Sequence, residues 1–412
     1  MIRRTSNLRD AGRAWLQLVH DRPSGGSMNR QQGMALLMVI TYMAILLPLS
    51  MQLMEESVED AQVSRNMEAE IHAYFHARSS LEIARQVLRS QKRADTLFKM
   101  AANMGLVKGN IPKPQLWPLA CKFGDIFQSG KVELMGMPMF DLGEQKGIGV
   151  SRGGFTCDQP EAEDGRVNVN DTTRKDHIYR QLVLLIRALS DFQEVDDTEI
   201  QELVADIIDY IDYDEQASQP EGPFLRESTG SESDEAKNAP LDSVDELRLI
   251  EGMTEELFCL LKDRVTVYMP EKINVNSADL YVLRVLLCDS LNSEEERLLC
   301  ETTPNGIDEA LEWLEVCRRL KWAMMSPPFS TETQFGQFFA KVPYEMFPPP
   351  NVSTSALKKK ISTDARVIRI KSTGTYPIGK KKKNGEYSSY VTKTIEAVID
   401  SKDGRYIYWR EN

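Results

Sequence analysis

Residues 34–53 form a run of twenty residues without a charged side chain, and this run constrains the chain more than any other feature. A helix rises about 1.5 Å per residue, so the run spans roughly 30 Å, the thickness of a bilayer's hydrocarbon core. Six Arg and two Asp precede it, whereas Glu55, Glu56, Glu59 and Asp60 follow it. The positive-inside tendency therefore predicts one membrane span, with a cytoplasmic N-terminus and an exported C-terminal part.

The residues before the run differ from an ordinary secretory signal peptide. Such a peptide has a shorter apolar core with its cleavage site after it, whereas here Gly33 stands before a run of span length. A basic leader, a Gly and an apolar helix that continues as a polar helix resemble the leaders of type IV pilins and pseudopilins. The resemblance implies that a prepilin peptidase cleaves after Gly33 and leaves Met34 as a methylated N-terminus. Met28 would then be the true start; the alternative is an ordinary signal anchor.

Met38 is the fifth residue of the expected mature chain. Most members of the pilin family have Glu at this position, and a charge inside lipid is tolerated only where it finds a partner. The lack of this Glu is typical of one family, the minor pseudopilin K of type II secretion, which is placed at the filament tip. Met38 therefore favours a tip subunit.

Composition fits a tethered, exported protein of more than one domain. About 360 residues follow the span, enough for two modest cores. The net charge of -12 argues against nucleic acid as the main partner. Six Cys show no C-x-x-C pair or zinc-finger spacing, and whether they form disulfides stays open. With four His and no G-x-S-x-G or H-E-x-x-H motif, the chain is not expected to be an enzyme.

Hydrophobic periodicity predicts an α+β fold. Apolar residues recur at three and four residue intervals from Ile71 to Leu88, so the N-terminal helix should continue to about Arg89. Strand-like segments lie on both sides of a helical region, and we expect them to share one antiparallel sheet. The predicted order is a leader (1–33), the transmembrane (34–54) and periplasmic (55–92) parts of the N-terminal helix, a pilin-like head (93–170 and 346–412) and an all-α insertion domain (171–345).

Several short motifs mark the starts of elements. The pattern aliphatic-Asn-Val-Asn occurs at 167–170 and again at 273–276, each time before a leucine-rich helix. Asn170 and Asn276, or the residue after each, can accept backbone N–H bonds and cap the coming helix. Thr198 and Ser243 each begin a capping-box pattern. A structural role is therefore expected for these residues.

Residues 237–254, which begin Lys-Asn-Ala-Pro-Leu, and the second Asn motif resemble the signature of the pseudopilin K family. The acidic helix end at 205–214 and the final Tyr-Trp-Arg at 408–410 add to the resemblance, which spans 28–412 with long unmatched stretches. It implies an inner-membrane protein with a periplasmic head. It also implies a cap on a tip complex with the minor pseudopilins I and J, which starts pseudopilus assembly and contacts exported substrates.

Family members bind calcium in the inserted domain, and this chain has eleven acids and no Lys or Arg in residues 191–215. Asp209, Asp212, Asp214 and Glu215 are the expected ligands, because carboxylate oxygens that converge at a helix end suit a hard cation. The spacing does not match an EF-hand. The alternative is a solvated acidic face.

Two other interpretations use parts of the same sequence. A minor pilin of a type IV pilus or competence system would share the leader and the head. A helix-hairpin-helix nucleic-acid module would use the turn at Gly252, but the acids around this Gly would repel phosphate. The Lys runs at 358–360 and 380–383 are expected to protect sheet edges. His72 and His76 have the spacing of a metal pair, but without a third ligand a surface or packing role is favoured.

Overall fold

The computed structural model describes residues 30–105, 115–122, 124, 131–134, 137–141, 152–190, 196–221, 224–227, 236–268, 272–293, 296–297, 300, 305–323, 327–382 and 387–412. Met28 and the predicted turn at 383–385 lie outside these residues. The chain divides into two compact units, Met1–Met67 and Glu68–Asn412.

Helix α1 (Arg30–Asn103) runs through the end of the first unit and the start of the second. Its buried residues in the second unit repeat at intervals of three and four: Ala69, Ala73, Ala77, Leu81, Ala84 and Leu88. The helix continues beyond the predicted end near Arg89 because residues 90–103 include good helix formers, and Gly105 follows with a φ of +72°. The apolar period therefore marked only the part of α1 that packs on the sheet.

The antiparallel sheet of the second unit contains β3 (Gly154–Cys157), β4 (Glu161–Ala162), β11 (Val367–Pro377), β12 (Tyr390–Asp400) and β13 (Arg405–Glu411). The strand order is β13-β12-β11-β3, and β4 also pairs with β11. One face lies on α1 through Ile368, Ile370, Ile395 and Ile399. The prediction that strands from both ends of the chain share one sheet is confirmed for these five strands. Strands β1 (Lys131–Leu134) and β2 (Met137–Asp141) pair with each other.

The insertion between β4 and β11 is mainly helical but not all-α as predicted. The described helices between β4 and β11 are α2 (Lys175–Ser190), α3 (Asp197–Ile211), α4 (Glu255–Leu261), α5 (Leu280–Cys288), α6 (Gly306–Ala323), α7 (Glu332–Phe339) and α8 (Thr354–Lys360). A hairpin of β6 (Ser218–Glu221) and β7 (Phe224–Glu227) interrupts them. Two parallel pairs also occur, β5 (Val167–Asn168) with β8 (Val265–Thr266) and β9 (Ile273–Asn274) with β10 (Ile361–Ser362).

One of the two predicted capping boxes is present. The Ser243 hydroxyl accepts the N–H of Asp245, while Glu246 accepts the N–H of Ser243, and the helix that follows is a 3-10 helix, Val244–Leu249. The prediction for Thr198 is wrong, because α3 already begins at Asp197 and places Thr198 inside its first turn. Acidic side chains are stabilised at the positive N-terminal end of a helix, so Asp196 and Asp197 favour a start before Thr198.

The two Asn motifs join distant segments of backbone and do not cap helices. Asn170 exchanges two hydrogen bonds with the backbone of Leu241 and donates a third to the carbonyl of Val267, at 2.9 to 3.0 Å. Asn276 exchanges two with Phe329 and donates a third to Thr363, at 2.8 to 2.9 Å. Both amides are buried, so the capping prediction is corrected: these residues satisfy buried backbone groups across the insertion.

Four cysteines form two disulfides, which answers the question that spacing left open. Cys121 pairs with Cys157 and ties the segment after α1 to β3, whereas Cys288 pairs with Cys300 after α5. Cys259 and Cys317 have free thiols.

A buried charged network joins the insertion to the sheet. The fully buried Glu163 accepts hydrogen bonds from the guanidinium groups of Arg166 and Arg369. Its neighbour Asp164 accepts the backbone N–H groups of Arg366 and Val367 at 2.6 and 2.7 Å, at the start of β11. The two carboxyls thus hold β11 where the chain leaves the insertion and enters the sheet.

Candidate functional site

The apolar part of α1 is long enough to cross a membrane. Among the described residues, one helix has the length and hydropathy of a span, with a mean hydropathy of 2.2 in its most apolar window, and that window is 0% buried. Thr41 and Ser50 donate to carbonyls of their own helix at 2.8 and 2.9 Å, which satisfies their hydroxyls without water. Met34 and Met38 are exposed, 60% and 58%, on this part of α1.

A second apolar feature of α1 continues beyond the span. Val63, Met67, Ile71 and Phe75 follow one another at intervals of four residues, and each is more than half exposed. This arrangement, the apolar stripe, lies on the same helix as the alanine and leucine face that packs on the sheet. A helix with one apolar face buried and a second face exposed is suited to a partner helix.

The two histidines of α1 pack on the sheet. The ring of His72 stacks on Tyr376, with ring centroids 4.5 Å apart, and the ring nitrogen of His76 lies 3.0 Å from the carbonyl of Arg152. Burial lowers the pKa of His76, although the bond to the Arg152 carbonyl opposes this. Of the expected surface or packing roles, these contacts show packing on the sheet.

The expected calcium ligands lie around the C-terminal end of α3. Lys175 of α2 places its ammonium 2.9 Å from an oxygen of Asp212 and 2.6 Å from an oxygen of Asp214. Asp212 is buried, and neither of its oxygens has a partner in hydrogen-bond geometry. Burial raises the pKa of Asp212, and the ammonium group offsets this only in part. A single ammonium group therefore already pairs with both carboxylates where a cation was predicted.

Asp209 and Glu215 have other surroundings. Both oxygens of Asp209 accept the N–H of Ser218, at 2.8 and 2.7 Å, which fixes the turn into β6. Glu215 is exposed. In the part of the chain that the structure describes, no three His, Cys, Asp or Glu side chains are grouped closely enough to hold a metal ion. Lys175 lies well before the acidic run in sequence, so the spacing of the acids gave no signal of this partner.

The turn that resembles a helix-hairpin-helix motif presents acidic groups. Gly252 has a φ of +82°, as a tight turn requires. The guanidinium of Arg248 pairs with Glu255 at 2.7 Å and lies 3.9 Å from the ring centroid of Phe258. Glu251 is exposed beside the turn. The turn therefore has the backbone shape of the motif but offers a phosphate no unpaired cation from these residues.

Residues 165–271 match the family model described as Type II secretion system (T2SS), protein K. The predicted resemblance to protein K is confirmed. The matched segment of this chain extends from the end of the Glu163 and Asp164 turn to just before the second Asn motif. It includes α2, α3, α4 and the expected calcium ligands.

A chain from the crystal structure of the GspK-GspI-GspJ complex of the type 2 secretion system from enterotoxigenic Escherichia coli is also similar. The two chains are 17% identical, and the likeness covers 64% of this chain and 82% of that one, with a TM-score of 0.41. A comparison with curated proteins gave no match.

Proposed function

We propose that the chain is a minor pseudopilin of type II secretion that acts at the pseudopilus tip with the minor pseudopilins I and J. The observation that carries the proposal is the apolar stripe, because it offers α1 to the helices of neighbouring subunits while the head keeps its own contact with α1. The protein K match supports this assignment over a minor pilin of a type IV pilus or competence system.

The proposal includes a route through the inner membrane. The leader stays in the cytoplasm, a prepilin peptidase cleaves after Gly33, and Met34 becomes the methylated N-terminus. The basic residues before the span and the acids after it support a periplasmic head.

A cap role follows from Met38 and the insertion. A subunit without the intramembrane acid needs no partner above it, and a bulky insertion on the head obstructs a further subunit from stacking there. The tip complex then starts assembly and contacts exported proteins.

The apolar stripe provides a direct test of the tip complex. The full-length chain carrying Ile71→Ser and Phe75→Ser should retain less than about a tenth of the wild-type yield of minor pseudopilins I and J in co-purification, since two partner contacts become polar. Leu249→Ser is the control, because Leu249 is 70% exposed on the insertion and lies outside the stripe. Equal yields from the double variant and wild type would contradict the proposed interface. Failure of wild type to form any complex would favour a type IV minor pilin.

Calcium binding by Asp209, Asp212, Asp214 and Glu215 is a second proposal. It is supported by the buried Asp212, whose Oδ1 has no hydrogen-bond partner, and opposed by Lys175, whose ammonium lies 2.9 Å from Oδ2 and which the ion would have to displace. Calcium should raise the melting temperature of wild type by several degrees and leave that of Asp212→Asn unchanged. Lys175→Met should increase the response, because the competing cation is removed. No shift in either wild type or Lys175→Met would end the idea.

A further inference from the structure

A groove lies within the second unit, where the segment after α1 and the sheet meet the insertion. Its main cavity has a volume of about 930 Å³ and reaches from Trp117 to α5 and α6 of the insertion. A second cavity of about 450 Å³ extends along the sheet. Four residues line both cavities, which therefore adjoin: Gln159, Glu161, Arg166 and Asp263. We call the two cavities together the junction groove.

Arg318 of α6 lines the main cavity of the junction groove and is only 8% exposed. Its guanidinium donates to the carbonyl of Ala278 at 2.7 Å and to the carbonyl of Val275. The Nε–H group is buried without a hydrogen-bond partner. Burial lowers the pKa of Arg318 to about 10, so the group is still charged at neutral pH. Two of its five N–H donors are used in these bonds.

The charge of Arg318 is not balanced by a carboxylate contact within the described ranges of the chain. The acids that act on it electrostatically are Glu315 and Asp279. Glu315 pairs with Arg319 at 3.0 Å, and Asp279 pairs with Arg264 at 2.6 Å. Buried charges in proteins are ordinarily paired, because desolvation without a partner is costly. A buried guanidinium in the wall of an open groove is therefore suited to an anionic ligand.

The rest of the main cavity offers apolar surface beside this cation. Trp117, Leu119 and Leu280 line it and are half-buried. The indole N–H of Trp117 already donates to Gln115 at 2.9 Å, which leaves the ring as an apolar wall. Apolar walls with a few fixed polar groups are typical of ligand sites. Because the second cavity prolongs the groove, an extended chain fits it better than a compact molecule does.

We propose that the junction groove binds the C-terminal segment of a partner polypeptide, with the terminal carboxylate paired to Arg318 and an apolar last side chain against Trp117 and Leu280. A terminal carboxylate has no chain beyond it and can therefore approach a guanidinium that is almost buried. Capture of a C-terminal carboxylate is a recurrent mode of peptide recognition. The inference uses the second unit alone and needs neither the membrane span nor the tip complex of the proposed function.

The test uses two pools of synthetic octapeptides whose last four residues are randomised, each with a diazirine crosslinker before the random part. The pools differ only in their C-terminus, which is a free carboxylate in one and a carboxamide in the other. Full-length chain in detergent micelles should retain the carboxylate pool at least about tenfold better than the carboxamide pool, since a buried charge pair is lost with the amide. Crosslinks should map to the walls of the junction groove.

Three outcomes with wild type would overturn the proposal. They are equal retention of the two pools, retention of neither pool, and crosslinks confined to residues outside the groove. Full competition by N-acetylleucine at the concentration of the peptides would also contradict it, because a single residue would then suffice. None of these readouts depends on a variant that must fold.

A pair of variants assigns the carboxylate to Arg318. Arg318→Gln should lower the affinity for the retained carboxylate peptides about thirtyfold or more, as the loss of one partner of a buried charge pair does. Arg319→Gln is the matched control, because it removes the same charge from a neighbouring side chain that is 78% exposed. Melting temperatures of both variants show whether they are folded. Equal affinities of a folded Arg318→Gln and of Arg319→Gln would refute the role of Arg318.

Discussion

At the scale of single residues, Asp164 is the carboxyl whose ionisation bears most on the join between insertion and sheet. It is 5% exposed and accepts two backbone N–H groups from the start of β11. Burial raises its pKa to about 6; the two backbone hydrogen bonds lower the pKa in part, and the neighbouring Glu163 raises it further. A buried carboxyl with a raised pKa favours the folded state most when it is protonated.

The free energy of unfolding should therefore depend on pH through Asp164. The ordinary value is 3.8, so the stabilisation is fully present below about pH 3.8 and is lost as pH rises through about 6. At about 1.4 kcal/mol per pH unit, the full effect is on the order of 3 kcal/mol. Asp164→Asn keeps an acceptor for both N–H groups but does not ionise. Urea unfolding from pH 4 to pH 8 should show wild type losing stability relative to the variant as pH rises, and parallel curves would contradict this.

The residues that sequence reasoning misjudged depend on partners far along the chain. Ser243 was predicted correctly because both halves of its capping box lie within three residues. Asn170 was assigned to the next helix, yet its partners are Leu241 and Val267. Lys175 was not considered for the acidic cluster, because pairing between α2 and α3 brings it there. Local hydrogen bonds can be predicted from spacing, whereas those that depend on tertiary packing cannot.

At the scale of elements, α1 and β11 approach each other closely enough to require glycine at one position. A Cβ on Gly374 would overlap the carbonyl oxygen of Ala73 and the backbone nitrogen of Ala77. Ala69, Ala73 and Ala77 keep the facing surface of α1 equally small. The sequence predicted the span, the amphipathic helix and the main strands from their periods, but not this approach or the short strands of the insertion, whose two-residue pairs are too brief to show a period.

Gly374→Ala should consequently separate α1 from the sheet. The added methyl on β11 meets the rigid backbone of α1, so we expect a loss of about 2 kcal/mol or more in the free energy of unfolding. Gly336→Ala is the matched control, because its Cβ would lie 3.5 Å from a methyl of Thr354 and Ala is favoured inside α7. The control should be neutral or more stable by up to about 1 kcal/mol. Equal stability of the two variants in urea titrations would contradict the close packing.

At the scale of the whole molecule, the proposed tip role requires a subunit that joins others from one side only. On that proposal the apolar stripe contacts the helices of neighbouring subunits, and the insertion between β4 and β11 obstructs a further subunit. The buried charged network fixes the segment where the insertion meets the sheet. One disulfide ties the segment after α1 to β3 and the other closes a loop within the insertion, so both parts of the head are braced internally.

The number of copies of this chain in an assembled pseudopilus tests that account most directly. Full-length chain with a single fluorophore at its C-terminus, expressed with the other pseudopilins, can be counted by stepwise photobleaching of isolated filaments. The account predicts one bleaching step per filament, located at one end. Several steps distributed along the filament would contradict a tip subunit and would assign the chain to the filament body.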